Sequence, residues 1–103
     1  MNGKKMGMLL STPPEHANLD TVVQLSKTAL ASGHEVYLYL IDEGTKNLSD
    51  TRLQVLKAKG LKLIVCAYGA QRRGIESNDQ AVFCGLVVLS DLVKSCDQFV
   101  SFN

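Results

Sequence analysis

The chain has 103 residues, of which 46% are hydrophobic and 20% charged, and its formal net charge is +1. This length predicts one domain over residues 1–103, large enough for a core but small enough to leave much surface exposed or to favour oligomerisation. No apolar run approaches the length of a membrane span and no signal-peptide core is present, so we expect a soluble, cytoplasmic protein. The scattered basic residues and small net charge argue against direct binding of nucleic acid.

The hydrophobic pattern predicts strands and helices in alternation. Short apolar segments indicate strands, and apolar residues at spacings of three and four indicate helices. In chain order we expect strand 5–11, helix 17–32, strand 34–41, a helix from a cap at Ser49 or Asp50 towards Gly60, strand 61–66, polar loop 76–80, helix 85–95 and strand 98–102. This βαβαβ-loop-αβ order predicts a single-domain α/β fold, a flavodoxin-like or Rossmann-like three-layer sandwich with a mostly parallel sheet.

The third predicted strand ends in a cysteine that two arginines follow. Cys66 closes the strand, and Arg72 and Arg73 come after a short spacer. The carboxyl ends of parallel strands border the ligand crevice in such folds, so we expect Cys66 to face solvent and partners. Backbone N–H groups of a turn or helix near Gly69, together with either guanidinium, would favour the nucleophilic thiolate. A buried, inert cysteine is the alternative, because free cysteine is among the most buried residue types.

Three further residues are weaker candidates for this site. Cys84, expected at the start of the last helix, would gain thiolate character from the helix dipole or would simply pack in the core. His16, after the first strand, would act as a base or stay a solvated loop residue, and Tyr68 would wall the thiol site or cover core. Cys96 is expected to be structural, at the amino edge of the sheet. The three cysteines are an odd number and no two form a C-x-x-C pair, which argues against a disulfide framework. A zinc site is not expected, because it needs ligands in paired spacing and the two histidines are far from the cysteines in sequence.

Several short motifs follow one another along nearly the whole chain, in the segments 33–35, 65–67, 72–75, 85–89 and 96–102. Their order and spacing resemble those of the DsrE-like family, most closely its TusD/DsrE branch. It implies a small α/β domain that assembles into trimers or hexamers and a cysteine that carries sulfane sulfur as a persulfide. Cys66 matches the sulfur-carrying position, and Arg72 and Arg73 match the arginine pair of the family. Such a carrier would exchange sulfur with donor and acceptor proteins and needs no metal or organic cofactor.

Two features leave the function open. Cys84 lies outside the family pattern, and the segment 76–83 looks shorter than the corresponding insertion in TusD-like proteins, so both tRNA thiolation and sulfur oxidation remain possible pathways. One alternative function is that of a non-catalytic assembly subunit. Another is a nucleotide-binding or other small-ligand module, although residues 11–14 lack the glycines that let a backbone approach phosphates.

Overall fold

The chain folds into a five-stranded parallel sheet with helices on both faces. The computed structural model describes residues 3–103, so the first two residues of the expected domain lie outside the described part. In chain order the elements are β1 (Lys5–Leu10), α1 (Asn18–Ala31), β2 (Glu35–Leu40), a 3₁₀ helix (Asp42–Asn47), α2 (Thr51–Ala58), β3 (Lys62–Cys66), α3 (Ala67–Arg72), β4 (Val82–Cys84), α4 (Leu86–Ser95) and β5 (Gln98–Phe102). None of the helices within residues 3–103 is both long and apolar enough to cross a membrane.

The strand order is β4-β3-β2-β1-β5, and every neighbouring pair is parallel. Because side chains alternate between the two faces of a strand, each face of the sheet has its own core. On one face Leu38 packs with residues of α1 and α2, and on the other face Tyr39 packs with residues of α4. The predicted three-layer α/β sandwich is therefore confirmed, and its sheet is wholly parallel.

Local signals account for the main turns. Gly33 has a φ of 84° just after α1, a conformation that glycine adopts without strain. The Asp50 side chain caps α2 by accepting hydrogen bonds from the backbone N–H groups of Arg52 and Leu53. Gly44 is needed for close packing, because a Cβ there would collide with the carbonyl oxygen of Leu10. This contact holds the 3₁₀ helix directly against the carboxyl end of β1.

The structure adds one strand that the hydrophobic pattern did not indicate. The strand β4 has three residues, lies at an edge of the sheet and pairs only with β3. Such a short segment carries no readable period, and pairing with an existing edge is what orders it. Cys84 is consequently the last residue of β4, and its predicted position at the start of a helix is wrong. The helix α3 agrees with the turn or helix expected near Gly69, and residues 76–80 form the expected loop.

Candidate active site

Cys66 is the last residue of β3 and directly precedes α3. Its side chain lies on the α4 face of the sheet, in a cluster with Tyr39 and Leu92, and the residue is only 3% exposed. The expectation that Cys66 faces solvent is wrong, because side chains of α4 pack against this end of the sheet. The sulfur atom Sγ accepts a hydrogen bond from the backbone N–H of Gly69 at 3.4 Å. The expected N–H donor near Gly69 is thus present, on the buried side of the strand end.

A cavity of about 330 Å³ lies over this cysteine. It is lined by Ile41, Asp42, Cys66, Tyr68, Gly69, Arg72, Arg73 and Leu86. The lining comes from the end of β3, the start of α4, α3 with the residue after it, and the 3₁₀ helix with the residue before it, so the cavity exists only when these elements are packed together. A larger cavity of about 590 Å³, lined by residues such as Gln71 and Phe83, contains none of the cysteines in its lining.

The two arginines line the cavity but are held by other groups. Arg73 donates from Nε to the Glu43 carboxylate at 2.5 Å and from Nη1 to the Gly69 carbonyl at 3.1 Å. Arg72 donates to the Tyr68 hydroxyl at 3.3 Å, and its guanidinium carbon lies 5.7 Å from the centre of that ring. Within the described part of the chain, neither guanidinium hydrogen-bonds the Cys66 sulfur. Their stabilisation of a thiolate or persulfide stays a prediction.

Hydrogen bonds from two cationic side chains control the ionisation of the Glu43 carboxyl group. Its pKa is lowered first by the hydrogen bond from Lys46 and next by that from Arg73. The carboxylate therefore stays ionised at neutral pH and neutralises part of the charge of Arg73. Of the two arginines, Arg72 has no carboxylate partner within residues 3–103 and is the less neutralised cation at the cavity.

Tyr39 is a component of the site that sequence reasoning missed. It is fully buried, and its hydroxyl donates to the carbonyl oxygens of Gly85 at 3.1 Å and Cys84 at 3.4 Å. Burial raises the pKa of Tyr39, and the neighbouring Cys66 and then Cys84 raise it further, so the hydroxyl stays a proton donor. A buried tyrosine hydroxyl usually has a hydrogen-bond partner. The presence of a tyrosine in an otherwise apolar strand was therefore the one signal in the sequence that could have indicated this contact.

The other predicted candidates lie at different distances from the cavity. Cys84 is half-buried on β4 and is the registered neighbour of Cys66 on β3. His16 is exposed, and its Nδ1 accepts from the backbone N–H of Asn18, so the structure does not bring it to the cavity. Cys96 lies at the amino edge of the sheet near Gly7, and burial raises the pKa of its thiol.

One cavity residue has an unusual backbone conformation. Asp42 has a φ of 54°, the only positive φ at a non-glycine position within residues 3–103. Aspartate tolerates this left-handed region better than most residues, and such conformations concentrate at functional sites.

Within the described residues, no group of three or more metal-ligating side chains comes together to hold a metal ion.

Comparisons with known proteins agree on the fold. The family model described as the DsrE/DsrF-like family matches residues 4–102. The crystal structure of the ychN protein from E. coli is similar, with a TM-score of 0.83 and 18% identity, over 97% of this chain and 99% of that chain. A conserved protein of unknown function from Bacteroides thetaiotaomicron, BT1422, has a TM-score of 0.82 and 14% identity, over 96% of this chain and 95% of that chain. No curated protein matches the sequence significantly.

Proposed function

The chain belongs to the DsrE/DsrF-like family, and from this premise we propose that it carries sulfane sulfur as a persulfide on Cys66 within a sulfur relay. The family implies a function related to sulfur relay. The observation that carries the finer proposal is the placement of the Cys66 sulfur, which accepts the Gly69 N–H and lines a cavity that two arginines also line. A thiol in such a setting has a donor for its anionic form and space for one additional sulfur atom.

The proposed loading step is a thiol exchange. The Cys66 thiolate attacks the outer sulfur of a donor persulfide, R–S–SH, and forms a new S–S bond. The donor S–S bond breaks, R–S⁻ leaves, and Cys66–S–SH is formed. An acceptor thiolate then attacks the outer sulfur in the same way and regenerates the Cys66 thiolate. The sequence of steps conserves atoms and electrons and requires no cofactor.

The cavity lining favours the loaded state more than the free thiol. The outer sulfur of a persulfide extends about 2 Å beyond Sγ, into the space that the guanidinium groups line. Cations there stabilise the anionic outer sulfur by charge-assisted hydrogen bonds. Arg72 is the main candidate because Glu43 already neutralises Arg73. The apolar residues Ile41 and Leu86 line the same space.

We also propose that the chain forms a homo-oligomer, a trimer or hexamer as the family resemblance implies. Apolar side chains are exposed beside the cavity: Tyr68 is 65% exposed, Leu86 56% and Val87 70%. The sequence suggests Tyr37, Tyr39, Phe83 and Phe99 as apolar residues of such a surface, and Tyr39 is the wrong member of this set because it is fully buried and belongs to the core. A second copy placed on this surface would cover the cavity and protect a persulfide. The sulfur donor, the acceptor protein and the cytoplasmic location stay predictions.

Intact-mass measurement tests the carrier proposal. With one equivalent of inorganic polysulfide, the wild-type chain should gain one sulfur atom that dithiothreitol removes, and Cys66→Ser should gain none. Cys96→Ser is the matched control and should load like wild type, because its thiol lies at the opposite edge of the sheet. Each comparison is repeated with Cys84→Ser as the parent, which keeps the result independent of that thiol. Full loading of Cys66→Ser would refute the carrier, and absent loading of both the wild type and the Cys84→Ser parent would favour the assembly subunit.

A further inference from the structure

Two cysteines from neighbouring strands lie side by side at the candidate site. In the parallel pairing of β3 with β4, Cys66 is the direct partner of Cys84. Registered residues of adjacent parallel strands point to the same face of a sheet, and both cysteines belong to the cluster beneath α4. Tyr39 gives a second observation of their proximity, since it packs in one cluster with Cys66 and its hydroxyl donates to the carbonyl oxygen of Cys84 at 3.4 Å.

The strand geometry is compatible with a bond between the two sulfur atoms. Hydrogen-bonded neighbouring strands lie about 4.8 Å apart, and a disulfide accepts Cα separations of roughly 4.4–6.8 Å. The Cβ atoms of a registered pair need a small further approach. β4 can supply it, because it has three residues and one neighbouring strand. Cys96 has no such option, since it packs near Gly7 at the other edge of the sheet.

Exposure distinguishes the two thiols. Cys66 is 3% exposed, so a thiol of another protein has little access to Sγ itself, in contrast to the outer sulfur of a persulfide, which would extend into the cavity. Cys84 is half-buried and lines a separate groove with Tyr37, Val82 and Val88. An attack by Cys84 on Cys66 needs no entry of a second molecule, and intramolecular reactions of well-placed groups are strongly favoured over their intermolecular counterparts.

We propose that Cys84 is the resolving thiol of Cys66. This inference builds on the proposed persulfide carrier. The Cys84 thiolate attacks Sγ of the protonated persulfide, Cys66–S–SH, and a Cys66–Cys84 disulfide forms. The bond from Sγ to the outer sulfur breaks, and the outer sulfur leaves as HS⁻ with the proton that it carried. The sulfane sulfur is reduced to sulfide and the two cysteines are oxidised, so no external oxidant is consumed. A dithiol reductant returns the pair to thiols by two exchanges. The chain thereby has a route that discharges sulfur as sulfide when no acceptor is bound.

Sulfide release from the loaded protein tests this proposal. The proteins are loaded with one equivalent of inorganic polysulfide and freed of excess reagent, and sulfide and intact mass are followed over time. The wild-type chain should lose its added sulfur, release one sulfide and end two hydrogen atoms lighter than the reduced chain. After proteolysis, the peptide that contains Cys66 and the peptide that contains Cys84 should be recovered as one disulfide-linked product. Cys84→Ser should keep its persulfide about tenfold longer or more, and Cys96→Ser should behave like wild type.

The possible failures are distinguishable. If wild type and Cys84→Ser load and hold sulfur equally long, the resolving thiol is refuted while the carrier stands. If neither loads, the carrier itself fails, and the inference fails with it. Cys84→Ala accompanies Cys84→Ser, and thermal unfolding of both verifies that they fold. Oxidation of the unloaded wild type with diamide measures proximity alone, and a failure to form the Cys66–Cys84 disulfide there also overturns the proposal.

Discussion

Removal of the Tyr39 hydroxyl gives a direct test of how the site is held together. In Tyr39→Phe the ring and its packing remain, so no cavity is created. The hydroxyl is one donor shared between the carbonyl oxygens of Gly85 and Cys84, at 3.1 and 3.4 Å, and counts as a single hydrogen bond. The Gly85 oxygen keeps a second donor, the backbone N–H of Val88 at 3.2 Å. The Gly85 carbonyl oxygen therefore keeps a hydrogen bond in Tyr39→Phe, which limits the loss of folding free energy.

These contacts set the expected magnitude. A neutral hydrogen bond contributes about 0.5–1.5 kcal/mol net, so we expect Tyr39→Phe to lower the free energy of unfolding by about 1 kcal/mol. For a domain of this size such a loss corresponds to a fall in Tm of about 4–8 °C. Urea denaturation should show a lower midpoint with an unchanged m-value. Amide hydrogen exchange at residues 84 and 85 should also become faster, because the link between β2 and the β4–α4 junction is lost.

A matched control lies two residues away on the same strand. Tyr37 packs in the same cluster beneath α4, and its hydroxyl makes no hydrogen bond within residues 3–103. Tyr37→Phe should change the free energy of unfolding by less than about 0.5 kcal/mol. Equal effects of the two substitutions would contradict the anchoring function of the Tyr39 hydroxyl. A loss above about 3 kcal/mol would show that the ring packing changed as well.

Two further outcomes follow from charges and from the exposed apolar surface. Glu43→Gln should destabilise the protein at neutral pH. The difference from wild type should disappear as the pH falls below 4.5, the ordinary pKa of this group. The lowered pKa means that the folded state favours the ionised carboxylate, and this contribution to stability is lost when the carboxylate is protonated. Urea denaturation across this pH range measures the difference. Glu76→Gln is the control, because Glu76 forms no ion pair within the described residues, and a pH-independent difference would contradict the attraction of Glu43 to Lys46 and Arg73. Light scattering should give three or six times the chain mass of 11.2 kDa, and Val87→Glu should disrupt this assembly whereas Val55→Glu, on α2, should not; a wild-type monomer would refute the oligomer.

Much of the fold is readable from short-range patterns. The alternation of strand and helix periods, the Gly33 turn and the Asp50 cap depend on neighbouring residues, so the sequence alone predicts them. The position of Cys66 at a strand end, with the N–H of Gly69 nearby, is equally local. For the same reason the three-layer sandwich was predictable, since a βα alternation with right-handed crossovers has few other compact arrangements.

The remaining features depend on residues far apart in the chain. Burial of Cys66 requires α4, which returns across the sheet from the β4 edge to the β5 edge. The pairing of Cys66 with Cys84 requires a three-residue strand that has no period of its own, and the ion pair of Arg73 requires Glu43 on a separate element. No local pattern encodes such contacts, because their free energy comes from packing, desolvation and hydrogen bonding between elements that meet only in the folded chain. The sequence therefore determined which residue is the candidate carrier, and the tertiary structure decided which groups surround it.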